Sequence, residues 1–295
     1  MLDFRYHALS LAAVLCALAV GVLIGVAIGD SSLVSSAQDG LVHNLRGEVR
    51  ASQRNLELAG RQLSEQQSLV ASFWPLAVHD LLAGRSVGIV FLGESSNEVD
   101  SLVQDGVKEA GGEVKSVVAV REPPQPTVLG IAPAGSSSRA GSEPETKLIR
   151  HFGVRVGREL IVGGRLIEHV RSKLLSSYEG QFGGLEGVVV MRSEPTGMSP
   201  EATHRTHEFE SGVIAGMTTE GVAVVGVETS STEPSQVPWY EAEGLSSVDD
   251  IESVGGRAAL AFALAGYRGA FGGKSSADAQ LPSAASVPAG ATGHP

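Results

Sequence analysis

From Ala8 to Ile28 the chain reads ALSLAAVLCALAVGVLIGVAI, twenty-one residues without a charge. At about 1.5 Å of rise per residue such a run crosses a hydrocarbon core of about 30 Å, so residues 8–28 read as a transmembrane helix behind a short flank, residues 1–7. A cleaved signal peptide is the competing reading, because Ala27 and Gly29 are small residues just before Asp30. Secretory apolar cores, however, usually run to only about 7 to 15 residues. Arg5 precedes the helix, Asp30 and Asp39 follow it, and the next positive charge is Arg46. That asymmetry puts the amino terminus in the cytoplasm and the bulk of the chain outside, though Asp3 keeps the bias small. An uncleaved apolar helix ordinarily stays in the inner membrane, and the sequence leaves inner versus outer membrane open.

Ala13, Ala17, Gly21, Gly25 and Gly29 recur every four residues along this segment and share one helix face. Small residues in that register let a second helix approach closely, although glycine and alanine are common in membrane helices without pairing. Residues 31–74 then contain no proline, and Val42, Val49, Leu56, Leu63 and Val70 stand seven apart. Leu45, Ser52, Ala59, Gln66 and Phe73 fill the intervening positions, so the segment reads as a coiled-coil stalk that makes a homo-oligomer and stops at Pro75. Ser52 and Gln66 weaken one layer, and Gly47 and Gly60 cost helix propensity. A lone amphipathic helix folded back on its own domain is the alternative.

Beyond Leu76 the texture changes to short apolar runs alternating with helical stretches. Ser86–Leu92, Glu113–Val120, Gly187–Met191 and Gly221–Val227 read as buried strands, with a shorter fifth at Gly244–Val248. Helices are expected at Glu98–Ala110, Pro200–Thr218 and Val254–Tyr267. Strand, helix, strand at this spacing predicts an α/β domain over residues 76–272, doubly wound around a mostly parallel sheet. Arg121–Glu143 is rich in proline, glycine and serine and reads as a hinge or surface loop, and residues 273–295 read as a disordered tail.

The charge balance narrows the function. Twenty-two basic against 33 acidic residues give −11, so there is no electrostatic drive toward nucleic acid. A single cysteine, Cys16, lies in the apolar run and supports neither an intrachain disulfide nor a thiolate zinc site. Aromatic residues at 5% argue against an outer-membrane barrel with aromatic girdles. No GxGxxG, GxxxxGK[ST] or GxSxG motif occurs, so the chain is read as a non-enzyme without a resident cofactor. Ser95 or Ser96 is a helix cap, and Asp249 and Asp250, being adjacent, do not face one another and mark a helix start. His204 and His207 stand three apart on an expected helix, with Glu208 and Glu210 behind and Met198 before, the best metal candidates in the chain. Two ligands bind poorly, and an exposed polar helix face explains the pair as well, so no metal site is assigned. Soft ligands for Cu(I) are limited to Met191, Met198, Met217 and Cys16, with no MxxM or CxxC cluster.

The segments DFRYHALSLAAVLCALAVGVLIG, VHDLLAGRSVGIVFL and SSVDDIESVGGRAALAFALAGYRGAFG resemble, in that order, the actinobacterial copper transport protein family of the MctB type. The likeness covers residues 1 to about 272 and is loose between Glu122 and Gly180; the chain carries VDD at Val248–Asp250 where the family usually has VDN. The resemblance implies an envelope protein of copper efflux or homeostasis, with copper as transported ion and the family described as an outer-membrane channel. The strands expected here are short, continuously apolar and interleaved with helices, which does not suit a barrel. One helix encloses no pore, and no charge lies within the membrane run. An oligomer, or an accessory to another transporter, fits better. Some relatives look like membrane-tethered coiled-coil scaffolds that recruit or activate an envelope partner in cell separation, and that is the alternative function.

Overall fold

A computed structural model describes residues 4–28, 31–125, 128 and 143–283. Two compact units divide the chain, residues 1–66 and residues 67–295. The first holds α1 (Phe4–Ile28) and most of the length of α2 (Ser31–Val78). Tyr6–Ala27 has a mean hydropathy of 2.7 and no buried residue within the chain, as expected of a segment whose apolar surface is covered by something other than this protein's own core. On α2, Val49 and Leu56 are exposed. Val42, Leu63 and Val70 also lie on α2, with side chains outside the described set, as is the whole of Gly29.

Pro75 does not end α2, contrary to the sequence reading; the helix continues to Val78. A proline removes one intrahelical hydrogen bond, and here burial outweighs that loss. Trp74 and Val78 are sealed in the core of the second unit, and the Trp74 indole donates to Glu109.

Among the described residues the second unit is built on seven strands: β1 (Ser86–Leu92), β2 (Glu113–Val120), β3 (Leu175–Gly180), β4 (Gly187–Arg192), β5 (Ala223–Val227), β6 (Ser246–Val248) and β7 (Ala270–Phe271). Their spatial order is β3-β2-β1-β4-β5-β6-β7, parallel throughout except for β3, which runs antiparallel to β2. Between them lie α3 (Asn97–Glu109), α4 (Glu143–Val162), α5 (Arg165–Leu174), α6 (Pro200–Thr219), α7 (Val237–Ala242) and α8 (Val254–Leu264). The mixed α/β, doubly wound architecture matches the sequence reading.

Strand pleating sorts the side chains onto two faces. Ile89 and Phe91 of β1 enter one core with α3, α8 and the end of α2, while Val90 and Leu92 enter the other with α4, α5 and α6. Both faces being covered is why these strands are apolar without alternation. β3 was not foreseen because LSSYEG is mostly exposed and carries no apolar run, as befits an edge strand. The tail also differs from expectation over residues 273–283. Buried Asp249 accepts the backbone N–H of Gly273 at 2.8 Å and of Lys274 at 3.0 Å, and Lys274 reaches Glu228 at 2.7 Å. Residues 284–295, and most of the expected 121–143 loop, lie outside the described residues.

The closest helix packing joins α4 to α6 through two glycine pairs. A Cβ on Gly157 would stand 2.0 Å from the Val213 carbonyl oxygen, and one on Gly216 would stand 2.1 Å from that of Val154. Gly153 and Gly212 meet the opposite backbone at 2.5 and 2.3 Å in the same way. Alanine favours a free helix over glycine by up to about 1 kcal/mol. Gly157→Ala is nevertheless expected to destabilise the protein by about 1–3 kcal/mol through overpacking. Gly47→Ala, with open space around its helical position, should be neutral or stabilising. Thermal unfolding followed by circular dichroism distinguishes the two variants.

Candidate functional site

β1 is flanked by β2 on one side and β4 on the other, so the connections leaving β1 and entering β4 run to opposite sides of the sheet. In open parallel sheets such a switch point opens a crevice beyond the carboxyl ends of the strands. Here the crevice has a volume of about 670 Å³ and is lined by Gly93, Arg121, Glu122, Ser193, Glu194 and Met198 among others.

Arg192, the last residue of β4, lies behind it with its side chain only 1% exposed. A guanidinium cannot give up its proton in a protein, so its charge has to be answered locally. Its Nε donates to Glu210 Oε1 of α6 at 3.0 Å, and its Nη1 donates to Glu194 at 2.6 Å and to Gln236. The guanidinium stands 4.7 Å from the Trp239 ring centroid, and its backbone N–H donates to the Tyr240 hydroxyl at 2.9 Å. That hydroxyl in turn donates to the Val227 carbonyl at 3.0 Å. Burial, chiefly, pushes the Tyr240 ionisation upward, so it remains a neutral donor.

Two carboxyls meet at this place. Glu122 is pushed up to about 9, first by burial and then by the neighbouring Glu210. Burial also raises Glu210, against the pull of Arg192. Two neighbouring buried carboxyls hold a proton between them, and it stays chiefly on Glu122 because Arg192 bonds Glu210 directly. Among the described residues Arg192 Nη2 and His207 Nε2 are buried without a partner, and so are one oxygen each of Glu122, Glu210, Asp250 and Glu252. Unmade buried bonds of this kind cost about 1–3 kcal/mol each. His207 is held below the usual histidine range, by burial first and by Arg192 second, so it is neutral at pH 7.

The sequence-selected residues fall differently. Met198 lines the crevice and its sulfur takes a hydrogen bond from Thr206 at 3.7 Å. His204 is exposed and pairs with Thr146 at 3.3 Å, while His207 lies within the field of Arg192. Among the described residues no group of three or more His, Cys, Asp or Glu is arranged to hold a metal. Ser96 caps α3 by accepting from Val99 N–H at 3.3 Å, and Ser253, itself bonded to Asp250, caps α8. Gly21 and Gly25 have open space around them. Sequence reasoning missed Arg192, Glu122 and Glu194 and took Glu210 for an exposed neighbour of the histidines. The available signal was Glu210 itself, a charge set among Phe209, Val213, Ile214 and Met217 on a face that is otherwise apolar.

Because Glu122 binds its proton in the fold up to about pH 9 but ionises near 4.5 when unfolded, the native state holds more protons between those values. Stability is therefore full below about 4.5 and falls as pH rises toward 9. Unfolding midpoints recorded from pH 5 to 9 should decline in the parent and decline less in Glu122→Gln, which mimics the protonated acid. Arg192→Met, leaving Glu210 buried without its cation, is expected to cost about 3–5 kcal/mol in the same assay.

Comparison with known proteins places residues 1–123 in register with the family described as "Copper transport outer membrane protein, MctB". The copper transporter MctB of Mycobacterium bovis and that of Mycobacterium tuberculosis are each 32% identical over 160 residues, covering 50% of this chain and 48% of theirs. The chain thus spans about half the length of the curated relatives it matches. A crystal structure of PH0766 from Pyrococcus horikoshii OT3 aligns over 64% of this chain and 37% of that one, at 14% identity and a TM-score of 0.31, too low to carry an argument.

Proposed function

We propose that this protein is a membrane-anchored envelope component of copper efflux or homeostasis, working as an oligomer or as an accessory to another transporter. The observation that carries the reading is the match of residues 1–123 to the copper transport family, a span that takes in α1, α2 and the β1-α3-β2 unit. The shape of the second unit supports an accessory role over a self-contained pore. Its sheet is open, with β3 and β7 as edges, whereas a membrane pore made of strands must close on itself. The apolar helix α1, the one helix among the described residues long and apolar enough to cross a membrane, serves as an anchor, with the amino terminus cytoplasmic and the acidic head outside. Association runs through the small-residue face of α1, including Gly21, Gly25 and Gly29, and through the heptad positions Val42, Val49, Leu56, Leu63 and Val70 of α2.

Cells lacking the protein should accumulate more copper than the parent after a copper challenge, measured by elemental analysis. The full chain in detergent should show no tight stoichiometric Cu(I) binding in competition with a chelator under reducing conditions. Unchanged cellular copper would instead favour the non-enzymatic scaffold of envelope or cell-separation machinery. Tight binding abolished by His204→Ala with His207→Ala would make the chain a direct copper carrier.

Val49→Asp combined with Leu56→Asp should reduce the oligomer to a smaller species in light scattering of the detergent-solubilised protein. An unaltered mass would remove the heptads from the assembly.

A further inference from the structure

The crevice at the β1/β4 switch point is a built concavity that the copper reading does not use. Its volume of about 670 Å³ lies within the range of small-molecule sites, and its mouth is open to solvent. It carries charge of both signs at its rim, Arg121 against Glu94 and Glu194, together with hydroxyls such as those of Ser176 and Thr196. Behind the rim the floor is stiff. Glu194 is fixed by Arg192 at 2.6 Å, and Arg192 is fixed by Glu210, Gln236 and the ring of Trp239. Groups held by such second contacts are preorganised for a ligand instead of being ordered by it.

The chemistry of the lining selects among ligand classes. A polyanion such as a nucleotide is opposed by Glu94 and Glu194, and by Glu98 and Asp100 in the first turn of α3, whose amino end follows the crevice residues Gly93 and Glu94. A simple cation is opposed by Arg121 and by the buried guanidinium of Arg192. Among the described residues no lining side chain is aromatic, so they offer a sugar no ring to stack on. A ligand carrying one charge of each sign meets none of these objections.

The geometry points to a binding site for a zwitterion of amino-acid or dipeptide size, its carboxylate taken by Arg121 and its ammonium by Glu94 and Glu194. Arg121, one of whose nitrogens rests on the Leu175 carbonyl at 3.4 Å, supplies the positive fork for the carboxylate, while Glu122, its proton shared with Glu210, adds no full negative charge beside it. Glu194, 39% exposed and fixed on one side by Arg192, retains acceptor capacity for an ammonium. Binding needs neither copper nor the stalk, so its outcome is independent of the transport reading.

The test is isothermal titration of the full chain in detergent with the twenty L-amino acids, D-alanine and glycylglycine. Acetate, methylammonium and glucose, at matched concentrations, report each charge alone and the sugar class. Saturable binding of at least one zwitterion, absent for the three controls, is expected. Arg121→Gln and Glu94→Gln, both at exposed positions outside the buried cluster, should each weaken it at least tenfold while leaving the unfolding midpoint within a degree or two of the parent. No saturable signal from any zwitterion up to 10 mM would overturn the proposal. So would binding indifferent to both substitutions, or a control that binds as tightly as the best zwitterion.

Discussion

Arg192 carries a charge that cannot be neutralised, at the inner end of a central strand, where water does not reach it. Its position dictates what surrounds it. Glu210 must come from α6, Gln236 and Trp239 from the start of α7 and Glu194 from the turn leaving β4, so three pieces of chain converge on one guanidinium. Tyr240 closes the arrangement by joining the Arg192 backbone to the end of β5 through a single hydroxyl. A pair buried this deeply contributes little net stability, since desolvation offsets most of the attraction. What it contributes is definition, because any packing that separates the partners leaves a bare charge in an apolar interior.

That requirement reaches outward through α6. Glu210 meets Arg192 only if α6 lies close over the sheet, and α6 is clasped from above by α4 across Gly153, Gly157, Gly212 and Gly216. Backbone contact at that distance leaves no room for a side chain on either helix. The second carboxyl, Glu122, follows from topology: it stands just beyond β2, next to β1, and meets Glu210 because β2 and β4 flank β1 on opposite sides. The crevice and its proton-sharing pair therefore share one origin in the reversal of strand order at β1.

The sequence was informative wherever a local pattern had one physical meaning. The uncharged run ending at Ile28 emerges as α1, and the five apolar runs emerge as strands within a residue or two of their expected limits. The caps at Ser96 and Ser253 lie where serine precedes an apolar helix. Local pattern was uninformative where stability came from distant partners. Pro75 looked like a stop, yet Trp74 and Val78 bury themselves against the sheet and carry α2 past it. Lys274 looked like the start of a structureless tail, yet it finds Glu228 forty-six residues away in sequence. The HxxH pair read better as a polar helix face than as a metal motif; His204 is exposed and bonds Thr146, whereas His207 Nε2 is buried without a partner.

By itself the sequence determined the apolar helix, the heptad spacing, five of the strands and the layered α/β class. Each of those follows from hydrophobic periodicity, which is written in neighbouring residues. Only the tertiary structure decided that Arg192, Glu210, Glu122 and Glu194 form one site. Their charges are unremarkable in the chain, and they acquire meaning when strand order and glycine-tight helix packing bring them together in a place that excludes water.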